Sequence, residues 1–402
     1  MTLGVLKMCM KTTFRTLTTV FAAVVFGPSG PAAGEVRYAV TNTNLPGYFS
    51  TARSLNDSGA VAGVGTGSAG ASLAYVRYPD GTLRTFPELA ALGFEVQTSC
   101  SINDSAVVAV TAAGYVGGIF TSRAFVIGPG GVVSVPPLSG TYTDAAAINA
   151  SGHVTGRSDA PFSSLRAYLF TGGSPVDLGQ IEPPFGTNIR ATAMNDLDHV
   201  VGVGDTSSGG LSGFLWNSTM HSLGTFQPTG INEAGWVCGR QIIGGVLRAV
   251  VRSPDGSYIT LPTLGGRSNA ALGINSAGEV VGSSQRADGS SGGFLWRDGQ
   301  ITDIETLLDR AARASDWRIT SAEAVNDRGQ ILAFSGFGPL LLTGHEDCPA
   351  DFNGDGGIDG VDVHHFFASW ESGSPLADVN HDGGVDGADV EVFMTVWSNG
   401  GC

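Results

Sequence analysis

The chain has 402 residues, of which 42% are hydrophobic, 14% are charged and 60 are Gly, and its formal net charge is −15. This composition argues against a disordered chain and favours turn-rich β structure in two or three domains. The charge argues against a nucleic-acid or anionic-membrane partner. Eight Asp, two Glu and no Lys or Arg lie between Cys348 and Cys402, so the acidity is mostly local.

The N-terminus has the pattern of a secretory signal peptide. Lys7, Lys11 and Arg15 precede the short apolar run Leu17 to Phe26, and small residues follow it. Such a run is too short to cross a bilayer, and no other stretch of the chain is long enough. We therefore predict a signal peptide over residues 1–34, an exported protein and no membrane span after cleavage. A buried N-terminal helix is the alternative.

A pattern of the form "GINSAGEVVGSS" recurs seven times along the middle of the chain. The anchoring residues are Asn56, Asn103, Asn149, Asn195, Asn232, Asn275 and Asn326. A β-rich repeat with a period of about 40 to 50 residues is typical of propeller blades or another repeat array. Most copies continue as N-x-x-G, which predicts a tight turn, because Asn and Gly both tolerate left-handed backbone conformations.

Each repeat predicts four short strands. The third strand begins with a small residue that an aromatic residue often follows, as in Ala74-Tyr75 and Gly293-Phe294. These aromatic residues are expected to pack between sheets, and stacking on a sugar is the alternative. The last repeat supplies three strands, so we expect Val36 to Thr41 to pair with Pro339 to Thr343 and close the ring. One helix, from Thr302 to Trp317, is predicted to interrupt the β pattern and to pack against the ring before the last blade, and a partner-binding helix is the alternative.

The repeats resemble the HAF-type extracellular repeat, which is named for a His-Ala-Phe-like triplet. Here the triplet stands as Arg123-Ala124-Phe125 and Arg166-Ala167-Tyr168, and the resemblance covers residues 36–343. It implies a β-propeller-like array in an exported bacterial protein and no established activity. With seven repeats, the expectation is a seven-bladed β-propeller over residues 35–344.

The acidic tail contains two loops with the spacing of calcium ligands. Ca²⁺ takes six to eight oxygen ligands, which a twelve-residue loop supplies from positions 1, 3, 5, 7, 9 and 12. In the first loop these positions are Asp351, Asn353, Asp355, the backbone of Gly357, Asp359 and Asp362. In the second loop they are Asp378, Asn380, Asp382, the backbone of Gly384, Asp386 and Asp389. The sequence therefore predicts two Ca²⁺ ions.

Each loop leads into a short predicted helix. Apolar residues recur at i, i+3, i+4 and i+7, as in Val363, Phe366, Phe367 and Trp370, and the second helix repeats the stripe. The two stripes are expected to pack on each other, with a partner-binding stripe as the alternative. No comparable helix precedes either loop, so residues 345–402 are predicted to be a small α module of two half EF-hands.

This duplicated unit resembles a type I dockerin, and its ending "NGGC" is similar to the GC-type variant. The resemblance covers Cys348 to Cys402 and implies a cohesin-like or other cell-surface partner. Positions 10 and 11 are Gly360-Val361 and Gly387-Ala388, where cellulosomal dockerins often carry Ser/Thr pairs that select a cohesin.

Four Cys remain after the signal segment, and disulfides are permitted in an exported protein. Cys348 and Cys402 bracket the calcium loops, so we predict that they pair. Cys100 and Cys238 belong to repeats on nearly opposite sides of the expected ring and should stay unpaired.

The sequence selects no catalytic residue. Its seven His form no H-E-x-x-H motif, and the G-x-S-x-G pattern at Ser291 lies in a Gly/Ser loop rather than at a strand-to-helix turn. Glu182, Asp205, Glu233 and Glu279 are carboxylates that a ring fold can bring to one face, but nothing distinguishes them.

Two functions follow from these patterns. The first is a secreted or cell-surface binding protein that is tethered through the calcium module. A polysaccharide is one candidate ligand of its propeller. The alternative is a polysaccharide hydrolase or lyase with a dockerin anchor. Carboxylates clustered in the central cleft would favour the enzyme, and a bare or aromatic-lined cleft would favour binding.

Overall fold

The computed structural model describes residues 36–68, 70–162, 164–181, 188–207, 209–315, 317–346, 348–353, 357–380 and 383–400. The predicted signal peptide lies outside these residues. Within them, the strands form seven four-stranded antiparallel sheets. In six sheets the four strands are consecutive in the chain and the innermost strand comes first. In the seventh sheet the first strand of the chain is the outermost strand. The predicted seven-bladed, mostly β propeller is thereby confirmed.

The first four blades are each built from four consecutive strands of the chain. Blade 1 contains β2 Phe49–Leu55, β3 Val61–Thr66, β4 Ser72–Arg77 and β5 Leu83–Thr85, and blade 2 contains β6 Val96–Ile102, β7 Val108–Val116, β8 Ile119–Gly128 and β9 Gly131–Ser134. Blade 3 contains β10 Thr143–Ile148, β11 Val154–Ala160, β12 Ser164–Phe170 and β13 Val176–Asp177, and blade 4 contains β14 Ile189–Met194, β15 Val200–Asp205, β16 Leu211–Trp216 and β17 Met220–Ser222.

The remaining strands form the last three blades. Blade 5 contains β18 Gln227–Ile231, β19 Val237–Ile243, β20 Val246–Arg252 and β21 Tyr258–Thr260, and blade 6 contains β22 Gly265–Ile274, β23 Val280–Arg286, β24 Ser291–Arg297 and β25 Gln300–Asp303. Blade 7 contains β26 Ile319–Val325, β27 Ile331–Ser335 and β28 Gly338–Glu346, and its fourth strand is β1 Val36–Asn42.

The ring is closed by strand exchange between the two ends of the propeller. β1 pairs antiparallel with β28, and the register places Ala39 opposite Thr343 and Thr41 opposite Leu341. The predicted pairing is confirmed. This pairing covers one edge of β28 and one edge of β1, and β1 becomes the outer strand of blade 7. β28 continues to Glu346, so the domain boundary predicted at residue 344 falls inside a strand.

In the described residues, the apolar core of the propeller is divided into seven clusters, and each cluster lies between two neighbouring blades. The aromatic column of the third strands belongs to these clusters. Its members are Tyr75, Phe125, Tyr168, Phe214 and Phe294, each at most 2% exposed. Their predicted packing between sheets is confirmed, and they present no face to a sugar.

A glycine on the second strand makes room for this column. Gly202 lies opposite Phe214 and Gly282 lies opposite Phe294 in neighbouring strands. A Cβ atom at Gly202 would lie 2.1 Å from the Arg190 carbonyl oxygen and 2.6 Å from the Phe214 ring. The recurring Val-x-Gly of the repeat is therefore required by close packing of the inner strand and the aromatic ring.

The helix predicted from Thr302 to Trp317 is wrong. The segment instead contains the end of β25, a 3₁₀ helix Ile304–Leu307 and α2 Arg310–Ala314. Leu308 interrupts the helix because it takes an extended conformation and pairs with Tyr38 of β1. The apolar residues of the segment still pack on the ring, and Ile304, Leu308 and Ala312 are buried there.

The other helices are short. α1 Pro87–Ala91 lies between blades 1 and 2, α3 Gly360–Glu371 and α4 Gly387–Ser398 form the tail, and a 3₁₀ helix Pro375–Ala377 joins α3 to the second loop. None of the helices in the described residues is long and apolar enough to cross a membrane.

Candidate functional site

The repeated Asn residues form a hydrogen-bonded ring around the propeller axis. Each Asn is 2–6% exposed, and its side-chain N–H donates to the backbone oxygen of the corresponding Asn in the next repeat. The bond from Asn326 to the Asn56 oxygen, 2.9 Å long, closes the circle. Each side-chain oxygen also accepts the backbone N–H four residues later, which fixes the predicted turn.

The turn conformation follows the sequence prediction. Gly in the fourth position has a positive φ, as at Gly59 and Gly278. Ala106 and Asp198 occupy that position in the two repeats without Gly, and they take the same left-handed conformation with φ of 58° and 61°. The Asn ring is therefore preserved where the Gly is absent.

Five carboxylates surround this ring at one end of the central channel. They follow the Asn directly in sequence and are Asp57, Asp104, Asp196, Glu233 and Asp327. Each accepts a backbone N–H from a neighbouring repeat at 2.7–2.9 Å. Burial is the main cause that raises the pKa of Asp57 and of Glu233, and neighbouring carboxylates add to it. The cavity that they line has a volume of about 210 Å³.

Sequence reasoning selected only one of these five residues, Glu233. Glu279 is instead paired with Arg297, Asp205 lies at the end of β15 far along the strand from the Asn turn, and Glu182 lies outside the described residues. The missed signal was visible in the repeat itself, because the residue after the Asn is acidic in five of seven copies.

The two tail loops are organised by the last carboxylate of each loop. Asp362 and Asp389 are fully buried. Asp362 accepts the backbone N–H of Asn353 at 3.0 Å and of Asp359 at 2.9 Å. Asp389 accepts the corresponding groups of Asn380 at 3.2 Å and Asp386 at 2.9 Å. Position 12 thus ties each loop to the first turn of its helix.

The residue at position 9 of each loop is the N-cap of the helix that follows. The side chains of Asp359 and Asp386 accept backbone N–H groups in the first turn, and together with Asp362 and Asp389 they form a capping box at α3 and at α4. An acidic residue at a helix N-terminus also interacts favourably with the helix dipole. Part of the acidic pattern is therefore explained by helix capping alone.

The ligand oxygen atoms that take no part in helix capping fit a bound cation better than a hydrogen-bond donor from the protein. The Oδ1 atom of Asp378 is buried and has no hydrogen-bond partner, whereas its Oδ2 accepts the Gly383 N–H at 3.1 Å. A buried, unpaired carboxylate oxygen is costly, and residues 348–402 contain no Lys or Arg to neutralise it. All of the predicted ligands are oxygen donors, which is the set that Ca²⁺ takes.

The ligand set is described only in part. Asp355 and Asp382 lie outside the described residues, and the residues that are described contain no group of three or more His, Cys, Asp or Glu close enough to hold a metal ion. The twelve ligand positions therefore remain predictions.

The two tail helices pack on each other through their apolar stripes, as predicted. The Phe366 and Phe393 rings are stacked, with centroids 4.1 Å apart. The indole of Trp370 donates to the backbone oxygen of Asp386 at 2.8 Å, and that of Trp397 donates to the oxygen of Asp359 at 3.2 Å. Each helix thus holds the other helix's loop, so the two loops form one structural unit.

The tail also contacts the propeller. The Arg310 guanidinium of α2 lies over the Phe352 ring at 4.4 Å, and Phe352 packs edge-on against Phe366. Phe352 is the second residue of the first loop. The contact therefore joins the first predicted calcium loop to the segment that precedes blade 7.

The cysteines agree with the prediction as far as they are described. Cys100 and Cys238 are free and buried, and burial raises the pKa of both thiols, that of Cys238 to about 12. Cys348 is disulfide-bonded. Cys402 lies outside the described residues, so its pairing with Cys348 stays a prediction.

A larger cavity of about 580 Å³ lies at the opposite end of the blades, where blades 2, 3 and 4 meet. Because strands within a blade are antiparallel, this end carries the turns between second and third strands, and we call it the hairpin face. The cavity is polar on the blade 3 side, where Tyr142, Asp144 and Arg157 lie, and it is bordered by Phe120 of blade 2.

Three side chains of this cavity form one hydrogen-bonded group. Arg157 donates to the Tyr142 hydroxyl at 2.6 Å and to Asp144 at 3.2 Å, and Tyr142 donates to Asp144. Burial and the Asp144 charge raise the pKa of Tyr142 to about 12. Sequence reasoning missed this cavity, since its residues come from three blades and follow no repeated pattern.

No protein-family model matches the chain, and no curated protein sequence matches it. Similar solved structures include the β-propeller domain of the Trilobed protease from Pyrococcus furiosus, at 12% identity and a TM-score of 0.45 over 63% of this chain and 83% of that chain. A putative TolB from Agrobacterium tumefaciens is 13% identical, with a TM-score of 0.40 over 56% of this chain and 84% of that one.

The extracellular domain of a putative one-component system from B. thetaiotaomicron is another similar structure. It is 10% identical, with a TM-score of 0.41 over 76% of this chain and 40% of that one. Likenesses at these values carry no argument about function. The seven-bladed propeller rests on the strand pairing of this chain.

Proposed function

We propose that this chain is an exported binding protein whose propeller bears the ligand-binding surface and whose tail is a calcium-dependent tether. The observation that carries the proposal is the pair of matched loops in the tail. Each has a fully buried carboxylate at position 12 and a capping box at position 9, and neither has a basic partner in the tail sequence. In this proposal the tail is a GC-type, dockerin-like module and the propeller is a HAF-type repeat array.

The predicted ligands would hold one Ca²⁺ ion in each loop. The ion would supply the positive charge that these loops lack, and it would offset the unpaired oxygen of Asp378. The chain's own hydrogen bonds already join position 12 of each loop to position 3. The predicted disulfide between Cys348 and Cys402 would fasten the two ends of the module together.

The partner in this proposal is a cohesin-like or other cell-surface protein. Gly360, Val361, Gly387 and Ala388, which occupy loop positions 10 and 11, are all exposed, and Val361 is 48% exposed. Because these residues are small or apolar, the partner surface should be apolar rather than rich in hydrogen-bonding groups.

Calorimetric titration of the mature chain with CaCl₂ tests the tether. We expect two bound ions per chain. Asp351→Ala and Asp378→Ala should each abolish or weaken one site, because each removes the first ligand of one loop. Asp80→Ala is the matched control, since Asp80 is an exposed carboxylate in a propeller turn that accepts the Thr82 N–H. A wild-type stoichiometry near zero, or equal loss in the control, would refute the proposal.

A polysaccharide hydrolase or lyase is the second candidate, and the carboxylate group around the Asn ring favours it. Against it, every one of these five carboxylates already accepts a backbone N–H, and the cavity of about 210 Å³ is smaller than most ligand sites. Assaying a polysaccharide panel with the wild-type chain and with Glu233→Gln separates the two functions. Cleavage that Glu233→Gln abolishes would establish the enzyme.

A further inference from the structure

The cavity of the hairpin face has the volume of a ligand site. Its volume of about 580 Å³ lies within the usual range of roughly 300–1,000 Å³. The wall on blade 3 is held by hydrogen bonds to a side chain, because the Asp159 carboxylate accepts the backbone N–H groups of Thr141 at 2.9 Å and Tyr142 at 3.0 Å. Because this wall is already ordered, ligand binding does not carry the entropy cost of ordering it.

One positive charge in the cavity has no counterpart. Arg157 is neutralised by Asp144, at 3.2 Å. Arg190 of β14 also lines the cavity and is exposed, and among the described residues it forms no ion pair or hydrogen bond. The charged residues that line the cavity therefore sum to one positive charge, in a chain whose formal net charge is −15.

Phe120 lies at the edge of the cavity and contacts a second exposed aromatic residue, Tyr115. Phe120 is 58% exposed and Tyr115 is 70% exposed, and their rings meet at a centroid distance of 5.4 Å. They lie opposite each other in the β7–β8 hairpin, whose tip also exposes Val116 and Ile119. Large apolar side chains gathered at one exposed tip are typical of an interaction site.

We infer that this cavity binds an acidic oligosaccharide, with the carboxylate of a hexuronate paired to Arg190 and a sugar ring packed on Phe120. The inference rests on the proposed function, since it supplies the ligand of the propeller. A sugar accounts for the combination of features: its C–H face packs on an aromatic ring, its hydroxyls match Tyr142 and the Ser and Thr side chains, and a carboxylate matches a guanidinium.

Nucleic acid offers similar groups but fits less well. It is a dense polyanion, and the net charge of −15 opposes its approach at long range. A neutral sugar would leave Arg190 without a partner, so it should bind more weakly than its acidic counterpart.

The experiment uses the calcium-loaded full chain and trigalacturonate, with its methyl ester as the matched neutral ligand. We expect the acid to bind at least about tenfold more tightly than the ester, which is the size expected of one hydrogen bond to a charged group. Arg190→Gln should reduce acid binding to the level of the ester and leave ester binding unchanged. Phe120→Ala should weaken both ligands.

Arg267→Gln is the control, because Arg267 is an exposed arginine near the same end of the inner strand of blade 6. It should change neither affinity. Equal affinity for acid and ester, or no loss in Arg190→Gln, would overturn the inference. Binding of neither ligand would also overturn it, while two calcium ions in the same sample would leave the proposed tether intact.

Discussion

The propeller and the tail both bury polar side chains, but they satisfy them differently. In the propeller, seven Asn residues bond to one another around the axis, and each bond joins one repeat to the next. In the tail, Asp362 and Asp389 are completely buried, and the tail sequence contains no Lys or Arg. The propeller therefore pairs neutral buried groups with one another, whereas the buried carboxylates of the tail accept backbone N–H groups and keep a negative charge that no Lys or Arg of the tail offsets. We expect the stability of the propeller to be intrinsic and that of the tail to depend on a cation.

Calcium removal should produce the largest difference between the two regions. We expect excess EGTA to remove most hydrogen-exchange protection from α3 and α4, because repulsion among uncompensated carboxylates opposes their folding. Amides in the seven sheets should retain their protection. Exchange measured by mass spectrometry on the full chain, with and without calcium, gives both regions at once. Mg²⁺ in place of Ca²⁺ is a suitable control for ionic strength. Protection of α3 and α4 that is unaffected by EGTA would contradict the comparison.

Breaking the Asn ring should be the next largest effect. Asn326→Ala removes the bond to the Asn56 oxygen and leaves the Gln330 N–H without its acceptor. The Asn56 oxygen keeps the Gly59 N–H, so the variant leaves one unsatisfied buried N–H, at about 1–3 kcal/mol, and loses one further hydrogen bond, at about 0.5–1.5 kcal/mol. The propeller should therefore lose about 2–4 kcal/mol of unfolding free energy. Urea denaturation followed by circular dichroism measures the change.

The matched control for this variant is Asn217→Ala. Asn217 is exposed and bonds to His221 within a single turn, so its loss should cost about 0.5 kcal/mol or less. If the two variants were equally mild, the Asn residues would serve only their own turns, and the ring would not be a source of stability.

The contact between the two regions should have a smaller effect. Arg310→Ala removes the guanidinium over Phe352 and should destabilise the calcium-loaded tail by about 0.5–2 kcal/mol. The propeller should keep its stability, because the Phe352 ring belongs to the tail core. Hydrogen exchange measured by mass spectrometry reports α3 and α4 separately from the seven sheets, with Arg267→Ala as the control. A fall in propeller stability of the same size would show that the regions unfold together.

The sequence predicted the features that each repeat carries by itself. The Asn turn, the buried aromatic column and the missing fourth strand of the last repeat all follow from residues that recur at fixed offsets. The packing of α3 on α4 also followed, since the apolar stripe is present twice. These predictions needed only local patterns and the knowledge that the patterns repeat.

The features that were missed depend on contacts between different parts of the chain. The helix over residues 302–317 is interrupted because Leu308 pairs with Tyr38, which lies 270 residues earlier in the sequence. The cavity of the hairpin face requires Phe120, Tyr142 and Arg190, which come from three blades. The acidic residue after the Asn was visible in five of the seven repeats, but only the fold shows that these five carboxylates line one cavity at the propeller axis.

The five carboxylates around the Asn ring should have the smallest effect on stability, and the pH dependence of the melting temperature tests it. Burial raises the pKa of Asp57 above its unfolded value, so this group favours the folded state when it is protonated, and that contribution is lost as the pH rises through the folded pKa. Asp57→Asn keeps an oxygen to accept the Asp327 N–H and removes the charge. We expect a small rise in melting temperature at pH 7 that disappears below about pH 4. Asp80→Asn should show the opposite sign at pH 7, because hydrogen bonds from Thr82 lower the pKa of Asp80. Calorimetry of the wild type, Asp57→Asn and Asp80→Asn from pH 3 to pH 7 measures the melting temperatures. If Asp57→Asn melted below the wild type at pH 7, the Asp57 carboxylate would stabilise the propeller despite the neighbouring carboxylates.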